Sequence, residues 1–206
     1  MANEIERPAD PVIPYATQQY ERRYFDQTFN ILRIFFVRLM ATVNSLFNAD
    51  SNGGKFLYMP RGSFYSTSNQ TAVATGTGYA LTFNQTSYTS GVTLSNNSRL
   101  NVADAGTYHF DVTLQIEHNN SSETSVTVWE EKNGTPINYS GHRFDVKGND
   151  DYVVHWGFTA TLEASDYIEI YWATGDTQLN LHSEAATSPH PGLPSASVEV
   201  VLVSNS

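Results

Sequence analysis

Three sets of residues in this chain have types and spacings that could do chemistry. His109 and Asp111 stand two apart in a segment of alternating polar and apolar residues, and Glu117 and His118 close the same segment. Imidazole beside carboxylate is the equipment of general acid–base work, in which one group takes a proton and the other orients it. Asp150 and Asp151 end the stretch Lys147-Gly-Asn-Asp-Asp, with Asp145 close by in sequence, and carboxylate oxygens of this kind are what Ca²⁺ takes as ligands. His182 and His190 border or lie in the long stretch SEAATSPHPGLPSAS, 183–197, and are candidates for polar contact with a receptor or glycan.

Each set has a plainer explanation. An alternating strand places polar residues side by side on its wet face, so His109 with Asp111 needs no catalytic reading. No G-x-S-x-G, H-E-x-x-H or phosphate-cradling glycine loop accompanies them. Two adjacent acids in a Gly/Asn turn do not match the ligand spacing of an EF-hand. The chain has no cysteine, which removes thiolate metal sites, cysteine nucleophiles and disulfides together. The expectation is a chain without catalysis, cofactor or resident metal, Asp150 and Asp151 being the residues a Ca²⁺ ion would use.

The elements that must position these residues follow from periodicity. Tyr108, Phe110, Val112, Leu114 and Ile116 alternate with His109, Asp111, Thr113, Gln115 and Glu117, a period of two that belongs to a half-buried strand. Val154, Trp156, Phe158, Ala160 and Leu162 repeat the pattern, as do Ile168, Ile170 and Trp172, and then Val198, Val200 and Leu202. Turn residues separate them: ADAG at 103–106, KNG at 132–134, KGNDD at 147–151, EAS at 163–165 and TGD at 174–176. Several such strands with no helical period between them predict an antiparallel sandwich or barrel over residues 62–206.

Ahead of it the pattern differs. Residues 1–16 carry Pro8, Pro11 and Pro14 and read as an extended arm. Residues 17–48 read as a helix, in which Phe25, Phe29, Leu32, Phe36, Leu39, Val43 and Leu46 recur at alternating spacings of 4 and 3. That is an a/d heptad seam, and a 3.5-residue period predicts self-association as a coiled coil. Ile31, Ile34 and Val37 then fall outside the seam at c, f and b, positions a free coiled coil leaves in water, so a second partner is expected to cover them, with Arg33 and Arg38 flanking that docking face. Insertion in a membrane is not expected, because Arg33 and Arg38 interrupt a short apolar run. Residues 49–61 are a linker. The net charge of −10 is concentrated beyond it: residues 62–206 hold fifteen acids against four bases, which disfavours nucleic acid as a partner. The acidic first residues do not read as a signal peptide.

RLNVADAGTYHFDVTLQI, VTVWEEKNGTPI, ASDYIEIYWATGD and the terminal VEVVLV, in that order, resemble the C1q/TNF-like jelly roll. Two features depart from that pattern: Ser165 stands where the glycine of a Gly-Asp pair is usual, and no collagen repeat precedes the domain. The resemblance implies a homotrimer, with the aromatic face of Tyr167 and Tyr171 packed between subunits. The arm and the YERRYFDQTFNILRIFFVRL helix ahead of such a knob resemble small bacteriophage virion proteins. This implies a structural protein assembled in the host cytoplasm, docked to other virion proteins through arm and helix, with the knob exposed for host-surface adhesion. The expected role is a trimeric fibre or tail-associated spike. A capsid-borne head fibre or decoration protein, and a secreted C1q-like carbohydrate-binding protein, are the alternatives.

Overall fold

In the computed structural model, residues 9–13, 15, 21–47 and 59–204 are described, and the chain divides into two units, 1–58 and 59–206. The arm outside 9–13 and 15, the ends of the expected helix at 17–20 and 48, and the linker up to 58 lie outside the described residues.

The first unit holds one helix, α1 (Arg22–Phe47), of 26 residues. Within its unit none of its residues is buried. Phe25, Phe29, Phe36 and Leu46 of the seam are exposed, as are Ile34 and Val37 of the docking set, while Leu32, Leu39, Val43 and Ile31 are half-covered by neighbouring turns. One expectation needs correction. The helix is long and apolar enough, by length and composition, to cross a membrane; the run is not too short, and what opposes insertion is the pair of arginines in its middle.

The second unit is built around β7 (Gly106–His118), whose thirteen residues alternate buried and half-exposed without a break. Because the side-chain period of a strand is two, one face of β7 enters the core and the other stays wet. Along one edge of β7 runs β11 (Asp150–Leu162), paired antiparallel over its whole length from Asp150 opposite His118 to Leu162 opposite Gly106. Along the other lie β13 (Leu179–Leu181) and β14 (Ala196–Ser204), followed outward by β1 (Arg61–Ser66) and β4 (Gln85–Ser90), with β2 (Gln70–Thr71) beyond β13. Arg61, expected as the last linker residue, opens β1.

The second sheet runs β10 (His142–Val146), β8 (Thr124–Lys132), β12 (Tyr167–Thr174), β6 (Arg99–Val102), β5 (Val92–Ser95). Short strands β3 (Tyr79–Ala80) and β9 (Thr135–Pro136) pair with β12 and β8. The knob is therefore a two-sheet antiparallel sandwich, as its alternation predicts. Between the sheets lie Tyr108, Phe110, Val112 and Leu114 of β7, Ile168, Ile170 and Trp172 of β12, Val198, Val200 and Leu202 of β14, together with Phe64, Leu81 and Phe83 from the polar first third of the domain. A fully buried side chain of this size stabilises by about 1.5–3 kcal/mol, so this core carries the domain without disulfides.

Candidate functional site

The first chemical pair does not form as its spacing implies. On the outer face of β7, Asp111 meets His155 of β11, Oδ1 to Nε2 at 3.1 Å. His109 instead lies over Gly157, where an added Cβ would stand 3.0 Å from its Cε1. The other nitrogen of His155, Nδ1, is 3.1 Å from the Thr113 hydroxyl. Hydroxyl, imidazole and carboxylate thus stand in sequence across two strands, the order a nucleophilic relay uses. The surroundings do not suit acyl transfer. Thr113 lies on β7, which is paired on both edges here, so the N–H groups around its hydroxyl are engaged in the ladder and are not free as oxyanion donors. His155 is 60 % exposed on a flat sheet face.

The second pair separates because it straddles the strand. Glu117 faces outward to His182, whose Nδ1 is 3.5 Å away, and the His182 Nε2 is 4.0 Å from Glu184. These groups, with Gln115, Asp151 and Leu193, line a cleft of about 160 Å³. His118 faces inward and is 1 % exposed. Its Nδ1 is 3.0 Å from the Lys147 carbonyl and its Nε2 is 3.2 Å from the Asp176 carboxylate, which also accepts from the Asn120 amide at 2.6 Å. The Asp176 carboxyl is held below the usual range, first by the N–H of Gln178 and, against the cost of burial, by His118 and Asn120. His118 ties three loops at one end of the sandwich, a structural role.

The carboxylates considered for calcium do not converge. Asp150 and Asp151 open β11 with successive side chains on opposite faces, and Asp145 is engaged by Arg143 at 3.3 Å. Among the described residues no group of three His, Cys, Asp or Glu is arranged to hold a metal ion.

Tyr167 and Tyr171 are not the exposed rings that alternation implies; both are half-buried on the outer face of β12. Tyr171 stacks on Trp129 of β8 with centroids 5.6 Å apart, and the Arg99 guanidinium lies 4.5 Å from the Tyr167 centroid. Burial, with the charges of Glu131 and Glu169 nearby, pushes the Tyr171 hydroxyl above its ordinary value. Arg99 also reaches Glu169 at 3.5 Å, and Ser98 donates to the same carboxylate at 2.7 Å, so an outward-facing acid is almost wholly covered.

The long stretch 183–197 is not structureless. It folds back as a narrow hairpin, with bridges joining Glu184 to Leu193 and Thr187 to His190, and its last residues begin β14. His190 is exposed at its tip, whereas His182 is half-buried at its base. Ser183 donates to Asn69, 2.8 Å from its backbone and 2.9 Å from its hydroxyl, and so fastens the hairpin to the β1–β2 turn.

Sequence reasoning missed two features of the surface. One is the junction of the KNG and EAS turns. Lys132 Nζ is 2.7 Å from Asp166, the Asn133 amide donates to the same side chain at 2.7 Å, and the N–H of Glu163 caps it at 2.8 Å. The other is Tyr139, at the tip of the β9–β10 connection, wholly exposed.

No protein-family model matches the chain, and no curated protein matches it. Among solved structures it is similar to murine APRIL at pH 5.0, with a TM-score of 0.48 and 12% identity over 70% of this chain and 99% of that one. It is similar also to the globular domain of the zebrafish complement 1qA protein, with a TM-score of 0.47 and 15% identity over 72% and 99%. Murine APRIL at pH 8.0 gives 0.45, 13%, 70% and 99%. At such identities the likeness concerns the fold alone.

Proposed function

We propose that this chain is a bacteriophage virion structural protein: a trimeric fibre or tail-associated spike whose N-terminal helix assembles and docks, and whose C1q/TNF-like knob is displayed for adhesion. It catalyses no reaction. The observation that carries this reading is α1, with 26 residues, none of them buried within its own unit and apolar side chains on every face. Such a helix leaves several large side chains in water unless other chains cover it. Copies of the chain cover the seam of Phe25, Phe29, Leu32, Phe36, Leu39, Val43 and Leu46. A second virion protein covers Ile31, Ile34 and Val37, and Arg33 and Arg38 offer charges to acids on it.

Light scattering of the purified chain tests assembly, with three times 22.9 kDa expected. Antibody labelling of purified phage particles tests location. Label on the tail supports the spike, label confined to the head replaces it with a head fibre, and absence from particles removes both. Flotation with lipid vesicles tests the competing use of the same helix. A charge such as Arg38 near the middle of a span costs about 2.5–3.5 kcal/mol, and the expected result is no flotation.

A further inference from the structure

From Asn133 to Gly141 the chain reads NGTPINYSG, nine residues without a charge in a knob rich in acids. The segment is pinned at both ends. The Asn133 side chain donates to Asp166 at 2.7 Å and accepts the N–H of Tyr167 at 3.0 Å. The N–H of Ile137 donates to the Glu130 carbonyl at 2.9 Å, and that of Ser140 closes a turn onto the Ile137 carbonyl at 3.3 Å. The Ser140 hydroxyl accepts the N–H of Glu130 at 3.2 Å.

At the apex of this fastened turn Tyr139 has a φ of +63° and a relative exposure of 106%. A bulky residue in the left-handed region is strained where Asn or Gly would sit with ease. Strain of this kind is tolerated where it serves a contact. Within the described structure Tyr139 makes none: its ring packs on nothing. The benefit of a tyrosine here lies outside the chain.

We infer that Tyr139 is the contact residue of a binding site for uncharged glycans, formed with the exposed Asn138 and Thr135. A tyrosine on a fastened backbone, with only two side-chain torsions to order and Asn, Ser and Gly around it, presents a large contact face at little entropic cost, the composition binding loops favour. The ring offers an apolar plate to the C–H face of a pyranose, and the exposed amide and hydroxyl of the same turn are available to exchange hydrogen bonds with sugar hydroxyls. The absence of charge selects the ligand class. An acidic sugar would meet a knob whose acids outnumber its bases fifteen to four over residues 62–206, and the cations flanking the turn, Lys132 and Arg143, are already paired with Asp166 and Asp145. This site deepens the adhesive role proposed for the knob and moves it from His182 and His190 to Tyr139.

The test is an array of unsubstituted hexose and N-acetylhexosamine oligosaccharides alongside sialylated and uronic-acid ones, probed with the full-length chain. Calorimetry on the best neutral glycan follows for wild type, Tyr139→Ala, Tyr139→Asn and His190→Ala. Neutral glycans should bind, both Tyr139 variants should weaken binding tenfold or more, and His190→Ala should leave it unchanged. Tyr139→Asn should also unfold at a higher temperature than Tyr139→Ala, which separates lost contact from lost folding. No neutral glycan bound, preference for acidic glycans, or binding indifferent to Tyr139 would each overturn the inference. So would a drop in oligomeric mass with glycan binding intact, which makes Tyr139 a contact to a second copy. Particle labelling is read separately, so Tyr139-dependent binding by a protein absent from virions would sink the virion role and leave the site standing.

Discussion

Ser165 has a φ of +72°, in the left-handed region that glycine occupies at little cost. The departure from the Gly-Asp pattern noticed in the sequence is therefore a strained position in the fold. Ser165→Gly should stabilise the knob by about 0.5–1 kcal/mol, relief of a left-handed side chain less the extra entropy of an unfolded glycine. Calorimetry should show a higher Tm; a lower one would mean the serine hydroxyl repays the strain. The next residue sets an acid limit. Burial pushes the Asp166 carboxyl up, but Lys132, Asn133 and the N–H of Glu163 outweigh it and bring it from 3.8 down to about 2. A carboxyl depressed in the folded state stabilises above its unfolded value, and the benefit is lost as pH falls through the folded one. Roughly 1 kcal/mol, discounted for solvent screening, should thus disappear between pH 4 and 2. Asp166→Asn should flatten that part of a pH–stability curve, and an unchanged slope would remove Asp166 as its source.

At the scale of elements, β7, β11, β12 and β14 were legible because each sets an unbroken apolar row against polar neighbours. The strands before β7 were not. β4 exposes all six of its residues and so has no apolar row, and Phe64, Leu81 and Phe83 enter the core singly from Ser/Thr/Asn-rich segments. Pairing across strands was equally hidden. Nothing in the order of residues says that His155 rather than His109 reaches Asp111, since the register of β11 on β7 decides it. Tyr139 left a trace, an aromatic in a run of turn residues, but its φ and exposure belong to the folded turn. The helix was legible as an element, and its two faces make separable predictions. Phe36→Asp in the seam should reduce the assembled mass to that of one chain, because a charge would be buried between copies. Ile34→Asp should leave the mass unchanged and lower incorporation into particles. Equal effects of the two substitutions on mass would mean that the helix has one apolar face, not two.

For the molecule as a whole, the two units draw their stability from different sources. The knob has a core between two sheets, whereas α1 has no buried residue in its own unit. Most helical stability in proteins comes from packing of an apolar face and not from propensity. On the proposed reading that packing is against other copies, and association depends on concentration. The three tryptophans, Trp129, Trp156 and Trp172, all lie in the knob, so their fluorescence reports on that unit while ellipticity at 222 nm reports chiefly on the helix. On dilution from micromolar to low nanomolar, the helical signal should fall while the tryptophan emission maximum stays where it is. A chain lacking residues 1–47 should keep that emission and lose the helical signal at every concentration. If helicity instead persists in a particle of single-chain mass, contacts within one chain hold the helix, and the argument that other copies cover its seam fails.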